Sequence, residues 1–473
     1  MTQNNKFRLL DTAVFIAYVA SVLVLVKHHE PWSDEAQSWI VARDLPFWKM
    51  IFGEMHYEVS PGLWQSILWI AQHVFHLPYA AMNWISAAFA IAGAGLLIFL
   101  APFPRVVRYL MASSYTILYQ YAIIARPYPL LLLCGAAAAI FYRKRRTLPL
   151  SICLALLCGI SVHGIILAAA LGAGALWQEA HYWNQLDRDR KSRDLVALAI
   201  VVVAAITAVA IARPAPDVVT MNPLKNGGII KLLTTIEDVV VNPWWLGVPV
   251  LLILGAFATW RRQGLVFLLS VGGLLTFQCF FYGGAHHQGA IVIALIIALW
   301  VAYPDQAEPL PLWFKPRVLA ALLALVFAVQ TSWALRAWKF DYEAPYSGAA
   351  DMAAFLHKIG VQRDQTSAFA FNSVAIQPYF DSNLFNNWPT AFVHHSRSAE
   401  PPLSKLSEET LSQYLIIPTP GGDVDPTGEQ LASYGYIRLH VSPGRVLYNR
   451  GIWMTETFTL YGRTKQQSAQ AVR

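Results

Sequence analysis

Charge is what this sequence has least of. Only 13% of its 473 residues are Asp, Glu, Lys or Arg, about half of the roughly 25% that an average soluble protein carries. With 56% hydrophobic residues beside so little charge, the chain is excluded from the ordinary soluble enzymes and equally from the disordered proteins. Cysteine is scarce. Cys134, Cys153, Cys158 and Cys279 all fall in apolar segments, so they imply no disulfide framework and say nothing about redox compartment. Internal repeats and low-complexity segments are lacking too. Arginines are scattered between apolar runs rather than clustered with stacking aromatics, which argues against nucleic acid as a partner.

What the chain does have is apolar length. Its mean hydropathy is +0.43, and the excess of 35 Lys and Arg over 28 Asp and Glu reads as basic loops on the inner side of a membrane. Seventeen Trp and twenty Tyr fit aromatic belts at the two interfaces. Runs near the ~20 residues of a spanning helix begin with Leu9–Val26, Pro61–Leu77, Ala81–Ala101, Val106–Ile124, Pro127–Tyr142 and Leu148–Val162. They continue with Gly164–Trp177, Leu195–Ile211, Trp244–Trp260, Leu265–Tyr282, Gly289–Tyr303 and Val318–Leu335. The expectation is a mainly α, polytopic membrane protein of about 11–12 segments. No small-residue cleavage site follows the first run, which is therefore expected to stay as an anchor.

Basic clusters orient it. Lys6 and Arg8 place the N-terminus in the cytoplasm, and Arg143–Arg146, Arg188–Lys191, Arg261–Arg262 and Lys315–Arg317 mark further inside loops. Residues 28–60, the pair His163–Gly164, the loop 212–243, the turn Gly283–Gln288 and everything after Leu335 then fall outside. Four candidate spans separate loop 28–60 from the cluster at 143–146, where parity requires an odd number. Val106–Ile124 is therefore expected to be a partial or re-entrant helix buried in protein, leaving Arg126 on the outer side. Residues 1–335 form the transmembrane unit. Residues 336–473 regain charge and read as an extracytoplasmic α/β domain: a helical pattern covers Gly348–Ile359, and strand-like runs occur at Ala368–Phe371, Tyr414–Ile417, Tyr436–Val441 and Arg445–Tyr448, with a turn signal at Pro418–Gly422. The location expected is a plasma (inner) membrane.

The first outer loop holds the most informative residues, Pro31-Trp32-Ser33-Asp34-Glu35-Ala36-Gln37-Ser38-Trp39-Ile40-Val41-Ala42-Arg43. Trp32, Ala36, Trp39 and Ile40 share one helical face, the pattern of an amphipathic helix lying at the outer interface, with Ser33 placed to cap it. Asp34 and Glu35 in a first turn serve the helix dipole with no other duty. Their location offers a second reading, since paired carboxylates here meet the polar head of an apolar-tailed substrate.

Trp-Ser-Asp-Glu-Ala after a first span, Ser60-Pro61-Gly62-Leu63 opening the second, and Ala125-Arg126-Pro127-Tyr128 closing a later one resemble the GT-C membrane glycosyltransferases. The branch most similar holds protein O-mannosyltransferases and lipid A aminoarabinose transferases, and the resemblance covers mainly residues 1–180. It implies a GT-C-like fold and a polyprenyl-phosphate-linked sugar donor. It also implies transfer to a lipid, glycan or protein acceptor at the outer face, as in cell-envelope glycan biosynthesis, with Asp34 as the catalytic base and Glu35 as the second candidate. A glycosyl phosphate already carries a good leaving group, so such an enzyme needs a base for the acceptor hydroxyl and cations for the departing phosphate. A single displacement would invert the anomeric centre. The chain departs from the pattern at two places. Relatives often carry a Lys or a Pro pair before the second span, where this sequence has His56-Tyr57-Glu58-Val59-Ser60-Pro61-Gly62, and the acidic residue often found after the Arg126 position is missing. It reads as a divergent member.

Arg126, with Tyr128 in the same element, is the substrate-binding candidate for a phosphate clamp; the other reading is a snorkelling interfacial Arg. His163 interrupts a long apolar run and is either a cavity residue or a helix-packing one. His286 and His287 can bond a phosphate or simply cap a tight turn. His56 and Glu58 raise the possibility of a divalent metal with no motif-level spacing, so no cofactor is firmly implied. Other classes fit less well. A transporter or flippase of lipid-linked sugars should show paired broken spans in two halves, and an O-antigen polymerase or ligase relies on a large late outer loop.

Overall fold

The chain is described by a computed structural model covering residues 3–180, 182–218, 228–281, 283–304, 316–394, 412–419, 428–448 and 451–463. Tyr282, Lys315, Pro420, Gly421 and Gly422, named above, lie outside these residues. It is mainly helical, with a small C-terminal sheet.

Among the described residues, five helices are long and apolar enough to cross a membrane: Arg8–His28, Ala81–Leu100, Arg188–Ala212, Ala285–Ala302 and Arg317–Glu343. Ile229–Val239 and Trp244–Trp260 would add a sixth as one broken span, bent by 77°. Pro129–Arg143, Thr147–Ile160 and Gly264–Phe280 are apolar but shorter. These helices are consistent with a multi-pass membrane protein. Their side chains divide as lipid solvation demands. Every residue of Gly289–Ala302 is buried, since a helix apolar on all sides belongs inside a bundle. Arg188–Ala212 instead turns Leu195, Val203 and Ile206 outward, each more than half exposed, a surface that water does not cover favourably.

Two expected interruptions take definite form. Val106–Ile124 is broken at Ser113–Ser114 into Arg105–Ala112 and a π-helical turn, Tyr115–Gln120. The break anticipated at His163–Gly164 falls slightly earlier, at Ser161, which is extended (φ −170°, ψ 170°) between Thr147–Ile160 and Val162–Ala180. Gly164 then marks a close approach: a Cβ there would stand 2.1 Å from the Leu157 carbonyl oxygen.

The C-terminal unit follows Arg317–Glu343 after a short non-helical link at residues 344–348. After the helix Ala349–Ile359, strands β1 (Thr366–Ala368), β2 (Tyr414–Thr419), β3 (Tyr436–Ser442) and β6 (Thr457–Arg463) build one sheet in the order β1-β2-β6-β3, with β4 (Arg445–Tyr448) and β5 (Gly451–Thr455) pairing separately. Only β1 and β2 run parallel; apolar cross-strand pairs such as Ile416 and Leu460 set the register. The strand expected at Ala368–Phe371 ends at Ala368, because Phe371–Tyr379 turns into 3₁₀-helix. That segment is what covers the first outer loop.

Candidate active site

The loop helix runs from Ser33 to Asp44, and its environment corrects the sequence reading. It is not an amphipathic helix with one face left uncovered. Ser33 and Glu35 to Ala42 are all buried, between Phe371–Tyr379 on one side and the helix Leu63–His73 on the other. The C-terminal unit grips it along its length. Ser33 N–H donates to Glu456 Oε1 at 3.1 Å, Gln37 exchanges hydrogen bonds with the Val393 carbonyl and amide at 2.7 and 3.1 Å, and Arg43 donates to the Phe380 carbonyl at 2.8 Å. Ser33 is not the cap either. The capping residue is Trp32, in extended conformation, and its N–H donates to Glu35 Oε2 at 3.0 Å, a carboxylate three residues on reaching back to an end amide.

Asp34 is the one residue between Ser33 and Ala42 that is not buried. Its Oδ2 sits 2.5 Å from Arg126 Nη1 and 3.8 Å from His286 Nε2. Asp34 and Arg126 side chains remain about one-fifth exposed, so the pair is open on one side. Residues from three distant parts of the chain thus meet at one point.

Glu35 faces the other way and is fully occupied. Its Oε1 accepts from Ala125 N–H at 2.5 Å, and its Oε2 also lies 3.3 Å from His29 Nε2. His29, 5% exposed, bonds Asp341 Oδ2 through Nδ1 at 2.9 Å, and Tyr119 donates to the same oxygen at 3.2 Å. Burial works to lower the basicity of His29, but Asp341 and Glu35 together outweigh it and hold the ring near 10. One buried network therefore joins the end of the first helix, the loop helix, the segment before Arg126 and the helix Arg317–Glu343. Because Asp34 precedes Glu35 and Arg126 follows Ala125, the Glu35–Ala125 bond sets the spacing of the exposed pair.

Behind it the remaining sequence candidates gather. Tyr128 hydrogen-bonds His287 Nδ1 and stacks on Tyr121 at 4.7 Å. His286 and His287 rings lie 4.1 Å apart, and His163 stacks on His287 at 5.4 Å. His163 Nε2 is buried without a hydrogen-bond partner among the described residues. The backbone carbonyls of His286 and His287 accept from Tyr121 at 3.3 and 3.4 Å, which fixes the turn that carries them.

His56 and Glu58 do not converge. His56 Nδ1 bonds the Arg213 carbonyl at 2.8 Å, while Glu58 accepts from Gln37 at 2.9 Å. Burial raises the Glu58 carboxyl to about 7. Among the described residues no group of three His, Cys, Asp or Glu side chains gathers as a metal site. Sequence reasoning missed His29, Asp341, Gln37 and Glu456. A His directly after an apolar run and beside acids, as in His28-His29-Glu30, was the one available signal; Glu456 offered none. No family model matches the chain, and no curated protein or solved structure matches it either.

Proposed function

We propose that the protein is a membrane glycosyltransferase that moves a sugar from a polyprenyl-phosphate-linked donor to a lipid, glycan or protein acceptor at the outer face of the plasma membrane. In this reading the fold is GT-C-like with 11–12 segments, the N-terminus is cytoplasmic and the C-terminal unit extracytoplasmic. The observation that carries it is the open Asp34–Arg126 pair on the otherwise buried stretch Ser33–Ala42. A stretch that buries every residue except one carboxylate, and sets that carboxylate against an arginine, is suited to present the two groups together.

The chemistry divides between them. Arg126 takes the donor phosphate, offering parallel N–H groups to its oxygens. A phosphate arriving at Arg126 competes with Asp34 and leaves the carboxylate to accept the acceptor's hydroxyl proton. The acceptor oxygen bonds the anomeric carbon as the carbon–phosphate-oxygen bond breaks. The electron pair departs with the polyprenyl phosphate, and the proton ends on Asp34. A single displacement inverts the centre. His286 and Tyr128 stand next to the leaving group's position and support its charge.

The test compares wild type with Asp34→Asn, purified in detergent, for binding of polyprenyl-phosphate sugars and for sugar release or transfer. Equal binding with turnover only in wild type is expected. Full turnover by Asp34→Asn would end the proposal. Lipid-linked sugars crossing proteoliposomes without turnover would replace it with a transporter.

A further inference from the structure

A second polar site lies on the same helix, away from Asp34. A cavity of ≈ 560 Å³ opens between the C-terminal end of Ser33–Asp44, the following turn and the loop before His394. That volume falls in the range of small-molecule sites, about 300–1,000 Å³. Its walls include Asp44, Lys49, Glu54, Asn383, Phe392 and His394. Glu54 is only 6% exposed. Its Oε1 stands 2.7 Å from His394 Nδ1, so a buried carboxylate and an imidazole face each other in the wall.

The backbone of this wall is unusual as well. Met50–Glu54 is a π-helical turn, a rare form that recurs at functional sites.

Resting on the glycosyl-transfer reading, we infer that this cavity holds an oligosaccharide acceptor. The lining mixes carboxylate, ammonium, amide and imidazole with signs nearly balanced. Such a wall suits a neutral ligand whose groups both donate and accept, which is what hydroxyls do. Phe392 adds an apolar wall for the carbon face of a sugar ring. A lipid tail finds too many charges here, with Asp44, Lys49 and Glu54 in the wall. Asp44 and Asp34 stand ten residues apart on one helix, about 15 Å along its axis, a span of several sugar rings.

The experiment measures binding of maltotriose, mannotriose, chitotriose and a Ser/Thr-rich peptide to the full-length protein in nanodiscs, by saturation-transfer NMR at millimolar concentration. Wild type is compared with Thr390→Trp, which fills the cavity from its rim, and with Lys49→Ala. Decaprenyl phosphate binding is measured in parallel. At least one trisaccharide should bind wild type and lose affinity about tenfold or more in Thr390→Trp, with decaprenyl phosphate binding unchanged. Lys49→Ala should weaken the trisaccharide in the same direction. No trisaccharide bound by wild type, binding that survives Thr390→Trp, or competition by the peptide alone would each overturn the inference. Failure of the underlying reading looks different: trisaccharides bind in the cavity, but wild type and Asp34→Asn show equal turnover.

Discussion

Two adjacent acids, Asp34 and Glu35, should respond to replacement in opposite ways. Glu35 is fully buried and receives Ala125 N–H, Trp32 N–H and the His29 ring. Truncation to alanine strands two buried amides, at about 1–3 kcal/mol each, and removes one partner from a buried ion pair, on the order of 3–5 kcal/mol when measured in other proteins. These costs overlap because the groups form one network, so the expected loss is about 4 kcal/mol. Asp34 is partly exposed, and truncating it should cost about 1 kcal/mol or less. The assay is reversible unfolding of both variants in mixed micelles. Equal stability of Glu35→Ala and Asp34→Ala would refute the structural role of Glu35. A finer test asks whether Glu35 acts through Arg126. The effects of Glu35→Gln and Arg126→Gln on decaprenyl phosphate affinity should be non-additive by about 0.5–3 kcal/mol, whereas additive losses would mean that the buried carboxylate does not position the arginine.

Other predictions concern pH and packing. His29 is raised from 6.5 to about 10, so its contribution to stability should be complete below pH 6.5 and fade as pH rises through 10; unfolding curves of His29→Asn should lack that alkaline decline. Glu456 is raised by burial from 4.5 to about 7. The folded state therefore binds more protons in that window, and stability should fall as pH rises across it. Glu456→Gln, which still accepts from Ser33 and Asn372, should flatten that fall in a thermal scan. Gly164→Ala should reduce the yield of folded protein severely, because the added methyl carbon would meet backbone at 2.1 Å; a normal gel-filtration profile at normal yield would contradict the packing described. Asp34→Asn should keep lipid affinity and lose turnover, as set out above.

The division of labour between sequence and tertiary structure follows from range. Apolar length alone announced a helical membrane protein, since hydrocarbon admits few backbone forms, and the strand-like alternation after Gly360 announced a sheet. Asp34, Arg126, His286, His287 and His163 could be nominated singly because polar groups stand out against apolar runs. Their meeting could not be read, being separated by 92 residues between Asp34 and Arg126 and by a further 160 to His286. The 33–44 pattern looked amphipathic, yet the face that seemed to seek water is covered by Phe371–Tyr379, a cover supplied by a segment more than 300 residues away. The same cover explains Glu35: beside Asp34 it looked like a spare base, and only the fold turns it inward to hold Ala125. Local composition decided which residues stand out against apolar runs; long-range packing decided which of them are buried and which is left partly open.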